Sequence, residues 1–162
     1  MDREAGFIRL RPEDTKEKRA KNIPINHHVK TVLDNAIRHI NHDYVFTYQG
    51  RPIVDRGGLK RSFATACKNA GIPRGRKTEN GIVFHDIRST VKTNMLTAGV
   101  NKIHRDVILG HSLEGMDVHY IILEDKELKT AMDLYTAWMD SELKLKNVDQ
   151  TVDQDPKRSQ AV

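Results

Sequence analysis

Apolar residues recur at helical spacing along most of this chain, in short stripes closed by glycine, and that pattern confines it to a mainly helical fold. Val29, Leu33, Ala36, Ile37 and Ile40 form the first stripe, with Asn26 placed to cap it. Leu59, Phe63, Ala66, Cys67 and Ala70 form the second, stopped by Gly71 and Pro73. A third helix is predicted from about His85 to Ala98, ended by Gly99. A short one follows from Asn101 to Leu109, before the turn Gly110-His111-Ser112. Residues 114–122 read as another brief helix. Leu128, Ala131, Met132, Tyr135, Trp138 and Met139 make the last amphipathic stripe.

The period changes near the N-terminus. Phe7-Ile8-Arg9-Leu10 and Ile23-Pro24-Ile25 are short apolar runs flanking a basic polar segment, as in two strands joined by a charged connection. Pro24 marks a strand end or an edge. The expected class is therefore α+β, mainly α, with one small antiparallel sheet near the N-terminus. Tyr44-Val45-Phe46 is a further short apolar run, ending in the turn Gly50–Pro52. At 162 residues the chain is one domain's worth of sequence. Apolar content falls after about Lys146, so residues 1–146 are expected to form the domain and 147–162 a polar, disordered tail.

No apolar run approaches the ~20 residues that cross a bilayer, and residues 1–20 lack the apolar core of a signal peptide. The lone Cys67 forms neither an internal disulfide nor a cysteine-based metal site. The eight histidines show no H-E-x-x-H or comparable ligand spacing, so no metal is expected. These features read as a cytoplasmic protein without a membrane partner. Lys plus Arg total 27 against 22 Asp plus Glu, for a formal charge of +5. The segment Asp140–Val162 holds four basic and five acidic residues, so the preceding part stands at +6. Lys16, Lys18, Arg19 and Lys21 form one basic cluster; Arg74, Arg76 and Lys77 form another. Each is either a solvated loop or a set of phosphate contacts.

The most informative constellation is His85-Asp86-Ile87-Arg88, then Leu109-Gly110-His111, then Tyr120. Arg88 and His111 are 23 residues apart, and His111 and Tyr120 nine. Singly, none of these says much. His85 would be a helix-start histidine, Arg88 a surface arginine and His111 a polar turn residue. Tyr120, beside Val118, Ile121 and Ile122, would be a core aromatic. Together, in this order and spacing, they resemble the tyrosine recombinases, or phage integrases, over about residues 6–140. That family carries H-x-x-R, L-G-H and a nucleophilic Tyr at very similar intervals. It also places an essential Lys in a β-hairpin eight residues before a Pro, which is where Lys16 stands relative to Pro24; Lys18 is the second candidate.

The resemblance implies the helical catalytic domain of the DNA breaking–rejoining type, acting on double-stranded DNA without metal, cofactor or small-molecule substrate. Tyr120 would be the nucleophile, yielding a 3′-phosphotyrosyl link and a free 5′-hydroxyl. His85 is the nearest candidate base among the motif residues, since a phenol with a pKa near 10 is a poor nucleophile at neutral pH. Arg88 would clamp two phosphoryl oxygens, His111 would donate a further hydrogen bond, and Lys16 would protonate the leaving 5′ oxygen. Lys18, Arg19, Lys21, Arg74, Arg76 and Lys77 would contact DNA. Family members assemble as tetramers on DNA, often docking a C-terminal helix on a neighbour; residues 127–146 could serve so, or pack on their own domain.

The family also places another Arg, with a nearby acid, on a helix before the first strand. Here Met1-Asp2-Arg3-Glu4 already leads into that strand, and Arg3, Arg9 and Arg11 lie too close to Lys16 for the role. The expectation is an N-terminally truncated catalytic domain, impaired when isolated. The alternative is a non-catalytic DNA-binding or assembly module derived from such an enzyme.

Overall fold

A computed structural model describes residues 2–16, 18–36, 44–53, 56–111 and 123–152. The fold is α+β and mainly helical, with two small antiparallel sheets among the described residues. It divides into two units, Met1–Asn26 with Asn94–Val162, and His27–Thr93.

The first unit is built on a hairpin. Strands β1 (Phe7–Leu10) and β2 (Lys21–Pro24) pair antiparallel, from Phe7 opposite Pro24 to Leu10 opposite Lys21. β2 thus begins two residues earlier than the apolar run alone suggests, because Lys21 and Asn22 complete the ladder. Pro24 ends the strand, where its missing N–H costs no ladder bond. Phe7 points inward and is 3% exposed. Arg9, two residues on and so on the same face, lies 5.1 Å from the Phe7 ring centroid.

Helices α4 (Lys102–Ile108) and α5 (Asp125–Val152) both pack on β2 and on each other. Leu128, Ala131 and Tyr135 of α5 are buried, as are Ile108 of α4 and Val100 before it. The three on α5 are spaced along one face, as the apolar stripe requires. Met95, near the end of α3 (Asp86–Thr97), is fully buried. Asn101 caps α4 by accepting the Ile103 amide at 2.9 Å, and the Arg105 guanidinium donates to the Val100 carbonyl at 2.9 Å. α5 continues to Val152, past the point where apolar content falls; 153–162 lie outside the described residues.

The second unit holds α1 (His27–Asp34), the short hairpin of β3 (Thr47–Tyr48) and β4 (Arg51–Pro52), and α2 (Arg56–Asn69). The turn Gln49-Gly50 has positive φ at both residues, 49° and 72°, the pattern whose twist suits a two-residue hairpin. The apolar run at 44–46 does not by itself predict this second sheet. Leu33 of α1 and Cys67 of α2 are buried. Phe63 and Phe84 meet edge-to-face, with centroids 5.5 Å apart. α2 ends with the Ile72 amide on the Cys67 carbonyl, and α3 ends alike with Val100 on Met95, both at 2.9 Å. The boundary between the units falls within α3. Ile37 and Ile40, from the first predicted stripe, lie outside the described residues.

Candidate active site

The start of α3 carries the first motif. Asp86, its first residue, accepts the Val83 amide on its carboxylate at 2.8 Å and returns its own amide to the Val83 carbonyl at 2.9 Å. That reciprocal pair fixes the chain's entry into the helix, so Asp86 has a structural task. An acid in the first turn also suits the positive end of the helix dipole. His85 immediately precedes the helix and is exposed; Arg88 follows one turn later, its amide donating to the His85 carbonyl at 3.0 Å, and is exposed as well.

The second motif is a helix terminus. After α4 comes Leu109, then Gly110 at φ +71°, a left-handed conformation that an L side chain would strain. The Gly110 amide donates to Val107 at 3.0 Å and the His111 amide to Asp106 at 2.7 Å, the paired bonds of a Schellman C-cap. The L-G-H triplet is therefore a helix stop that sets His111 at a fixed position. His111 Nδ1 also meets the Asp106 carboxylate at 3.2 Å, and the other Asp106 oxygen accepts from Lys102 Nζ at 2.9 Å. The Asp106 side chain is 7% exposed and the His111 side chain 35%. Lys21 of β2 donates from Nζ to the Gly110 carbonyl at 3.2 Å. Hairpin and histidine turn are thus joined within one unit.

Lys16 and Lys18 stand on the connection between β1 and β2, and both are exposed. That connection is organised. The buried Thr15 hydroxyl accepts the Arg19 amide at 3.0 Å and lies 2.8 Å from the Arg19 carbonyl and 3.1 Å from that of Pro12. Lys18 has φ 54°, its amide donating to the Thr15 carbonyl at 3.3 Å. Arg19 is exposed, whereas Lys21 is half-buried.

Arg74, Arg76 and Lys77 stand on a tight loop. Arg74 and Lys77 are exposed, as is Arg76. Gly75 donates to the Ile82 carbonyl and Ile82 to that of Pro73, each at 3.0 Å, closing the loop at its base. A Cβ at Gly81 would collide with the Gly75 carbonyl oxygen and come within 2.8 Å of Thr78 Cβ, so this loop admits only glycine there. Three cations are thereby carried on a defined backbone.

Tyr120 and the predicted helix 114–122 lie outside the described residues. The chain on either side is anchored in the first unit, by the His111 turn and by the start of α5. There Asp125 accepts from Arg9 at 2.8 Å and from Asn22 at 2.9 Å, while Arg9 also reaches Asp2 at 3.1 Å. The Arg9 hydrogen bond lowers the Asp125 carboxyl, and the Ala5 amide followed by Arg9 lowers that of Asp2. Tyr135 is buried, and desolvation raises its phenol pKa against a weaker opposing hydrogen bond from Asn94. A raised phenol is a poor nucleophile, in keeping with a packing role.

Sequence reasoning missed Asp106 and the Arg9–Asp125 pair. The first had a signal: five residues before the residue that follows a C-cap glycine is where that residue's amide bonds. The second had none.

The phage integrase family model matches residues 1–127. No curated protein and no solved structure matches the chain. No helix among the described residues is long and apolar enough to cross a membrane. With the family model covering well over half its length, the chain belongs to the phage integrase family, the DNA-binding tyrosine recombinases of site-specific recombination.

Proposed function

We propose that the chain cleaves and rejoins duplex DNA through a covalent link to Tyr120. The phenolic oxygen attacks phosphorus, the bond from phosphorus to the 5′ oxygen breaks, and a 3′-phosphotyrosyl ester and a free 5′-hydroxyl result. The phenolic proton passes to His85, and Lys16 supplies one to the departing oxygen. Arg88 and His111 meet the charge that develops on the phosphoryl oxygens. A positioned donor of this kind is worth ~10²–10³ in rate. Rejoining reverses the steps, and because the ester conserves the bond no nucleotide or metal is consumed.

The observation that carries this reading is the L-G-H turn, in which the C-cap and Asp106 together hold the His111 ring in one place. Lys18, Arg19, Lys21, Arg74, Arg76 and Lys77 are assigned to the DNA backbone, the last three on the closed loop. We further assign the active form to a tetramer on DNA, of phage or mobile-element origin, in the bacterial cytoplasm.

Covalent trapping tests the mechanism. The chain is incubated with a nicked duplex carrying the element's junction sequence. Mass spectrometry should find a phosphotyrosyl adduct at Tyr120. No adduct, despite tight binding, would replace this reading with a non-catalytic DNA-binding module.

A further inference from the structure

His111 makes two bonds to a single residue. Its amide meets the Asp106 carbonyl at 2.7 Å, and its Nδ1 meets the Asp106 carboxylate at 3.2 Å. The first bond belongs to any helix that stops this way. The second depends on which side chain stands at position 106. We propose that Asp106 is the positioning residue of His111, holding a proton on Nδ1 and orienting the ring so that Nε2 faces the phosphoryl group.

The chemistry follows from the donor and acceptor inventory. An ionised carboxylate only accepts, so this contact requires a proton on Nδ1. With Nδ1 committed to the carboxylate, Nε2 is the ring atom that can meet the phosphoryl group, and it donates there only in a ring that also carries a proton on Nε2. The carboxylate fixes the ring's orientation, as the buried aspartate of a Ser-His-Asp triad does for its histidine.

Two cations flank the arrangement. Lys102, 78% exposed, neutralises the second Asp106 oxygen from one turn earlier on α4. Lys21 comes from β2 to the Gly110 carbonyl. The buried carboxylate therefore does not present a net negative charge to an incoming phosphate. The ligand's identity rests on the phosphoryl-transfer reading above, but the ring's protonation pattern does not.

Nitrogen-15 spectra of the histidine-labelled chain test the proposal, with His111→Gln identifying the resonances. The wild-type ring is expected to carry its proton on Nδ1, and Asp106→Asn, nearly isosteric, to lose that preference because an amide can also donate. Asp106→Asn should also slow adduct formation about 10- to 100-fold with DNA affinity unchanged, no more than the loss of a donor itself. A wild-type His111 protonated only at Nε2 overturns the proposal, whether or not the variant folds. So does an Asp106→Asn protein with wild-type ring resonances and rate. Nδ1 protonation lost on substitution, in a protein that never forms an adduct, would uphold the positioning role and overturn the recombination chemistry instead.

Discussion

Lys21 Nζ donates to the carbonyl of Gly110 at 3.2 Å, across 89 residues of chain. The bond ties the second strand of the hairpin to the turn that places His111. Gly110 is constrained twice over, by φ +71° and because a Cβ there would lie 3.0 Å from that ammonium. Gly110→Ala is expected to cost about 1–2 kcal/mol in urea unfolding, chiefly from the left-handed backbone. Lys21→Met keeps the stem and loses the donor, at about 1 kcal/mol. Its sharper readout is faster hydrogen exchange at the His111 amide.

The acid limb of stability should reveal the Arg9 cluster. Asp2 and Asp125 are both lowered from the ordinary carboxylate value of 3.8, so the folded form binds protons less readily than the unfolded chain. Their contribution is then fully present above about pH 4 and fades as pH falls through the depressed values. Arg9→Gln should be less stable than wild type at neutral pH, with the difference closing in acid. These groups are solvent-exposed, so added salt should shrink the difference too. A gap that widens on acidification would contradict the assignment.

Arg74, Arg76 and Lys77 offer a binding prediction. Replacing all three by Gln should weaken DNA binding to a similar degree on cognate and unrelated duplexes. The slope of log K against log salt should fall by up to about 3, near one for each phosphate that the loop no longer neutralises. An unchanged slope would remove this loop from the interface. Gly81→Ala should give part of the same effect by deforming the loop, leaving its charge intact.

The two tyrosines separate chemistry from packing. Tyr120→Phe is expected to abolish covalent capture and leave DNA affinity unaltered. Tyr135→Phe should retain capture and lose about 1 kcal/mol of stability with the Asn94 hydrogen bond. Capture that survives Tyr120→Phe but not Tyr135→Phe would exchange their roles.

Met95 provides a check on the first unit's core. It is fully buried near the end of α3. Met95→Ala should cost about 2–5 kcal/mol, with the spread set by how far the site collapses.

Helix positions and stops were legible because they depend on near neighbours. Gly71, Gly99 and Gly110 each end a helix through bonds spanning five residues, and the Leu128–Tyr135 stripe faces the core as its spacing requires. The β3–β4 hairpin was less legible, since each strand is two residues long and carries almost no alternation. The motif residues were proposed from their order and intervals, which carry no geometry, and Tyr120 falls outside the described residues.

By itself the sequence determined the family and the local frame. A glycine before His111 stops α4 and turns the histidine amide back onto Asp106, whatever surrounds it. Tertiary structure alone decided what meets that frame from a distance. The packing of α4 on β2 brings Lys21 to Gly110, and that of α5 on β2, with the β1–β2 pairing, brings Asp125 to Arg9, 116 residues away. The reason is physical. A cap or a helical stripe is fixed by backbone geometry over one or two turns. A contact between remote polar side chains exists only after hydrophobic burial has set the elements' relative positions, and no local spacing encodes it.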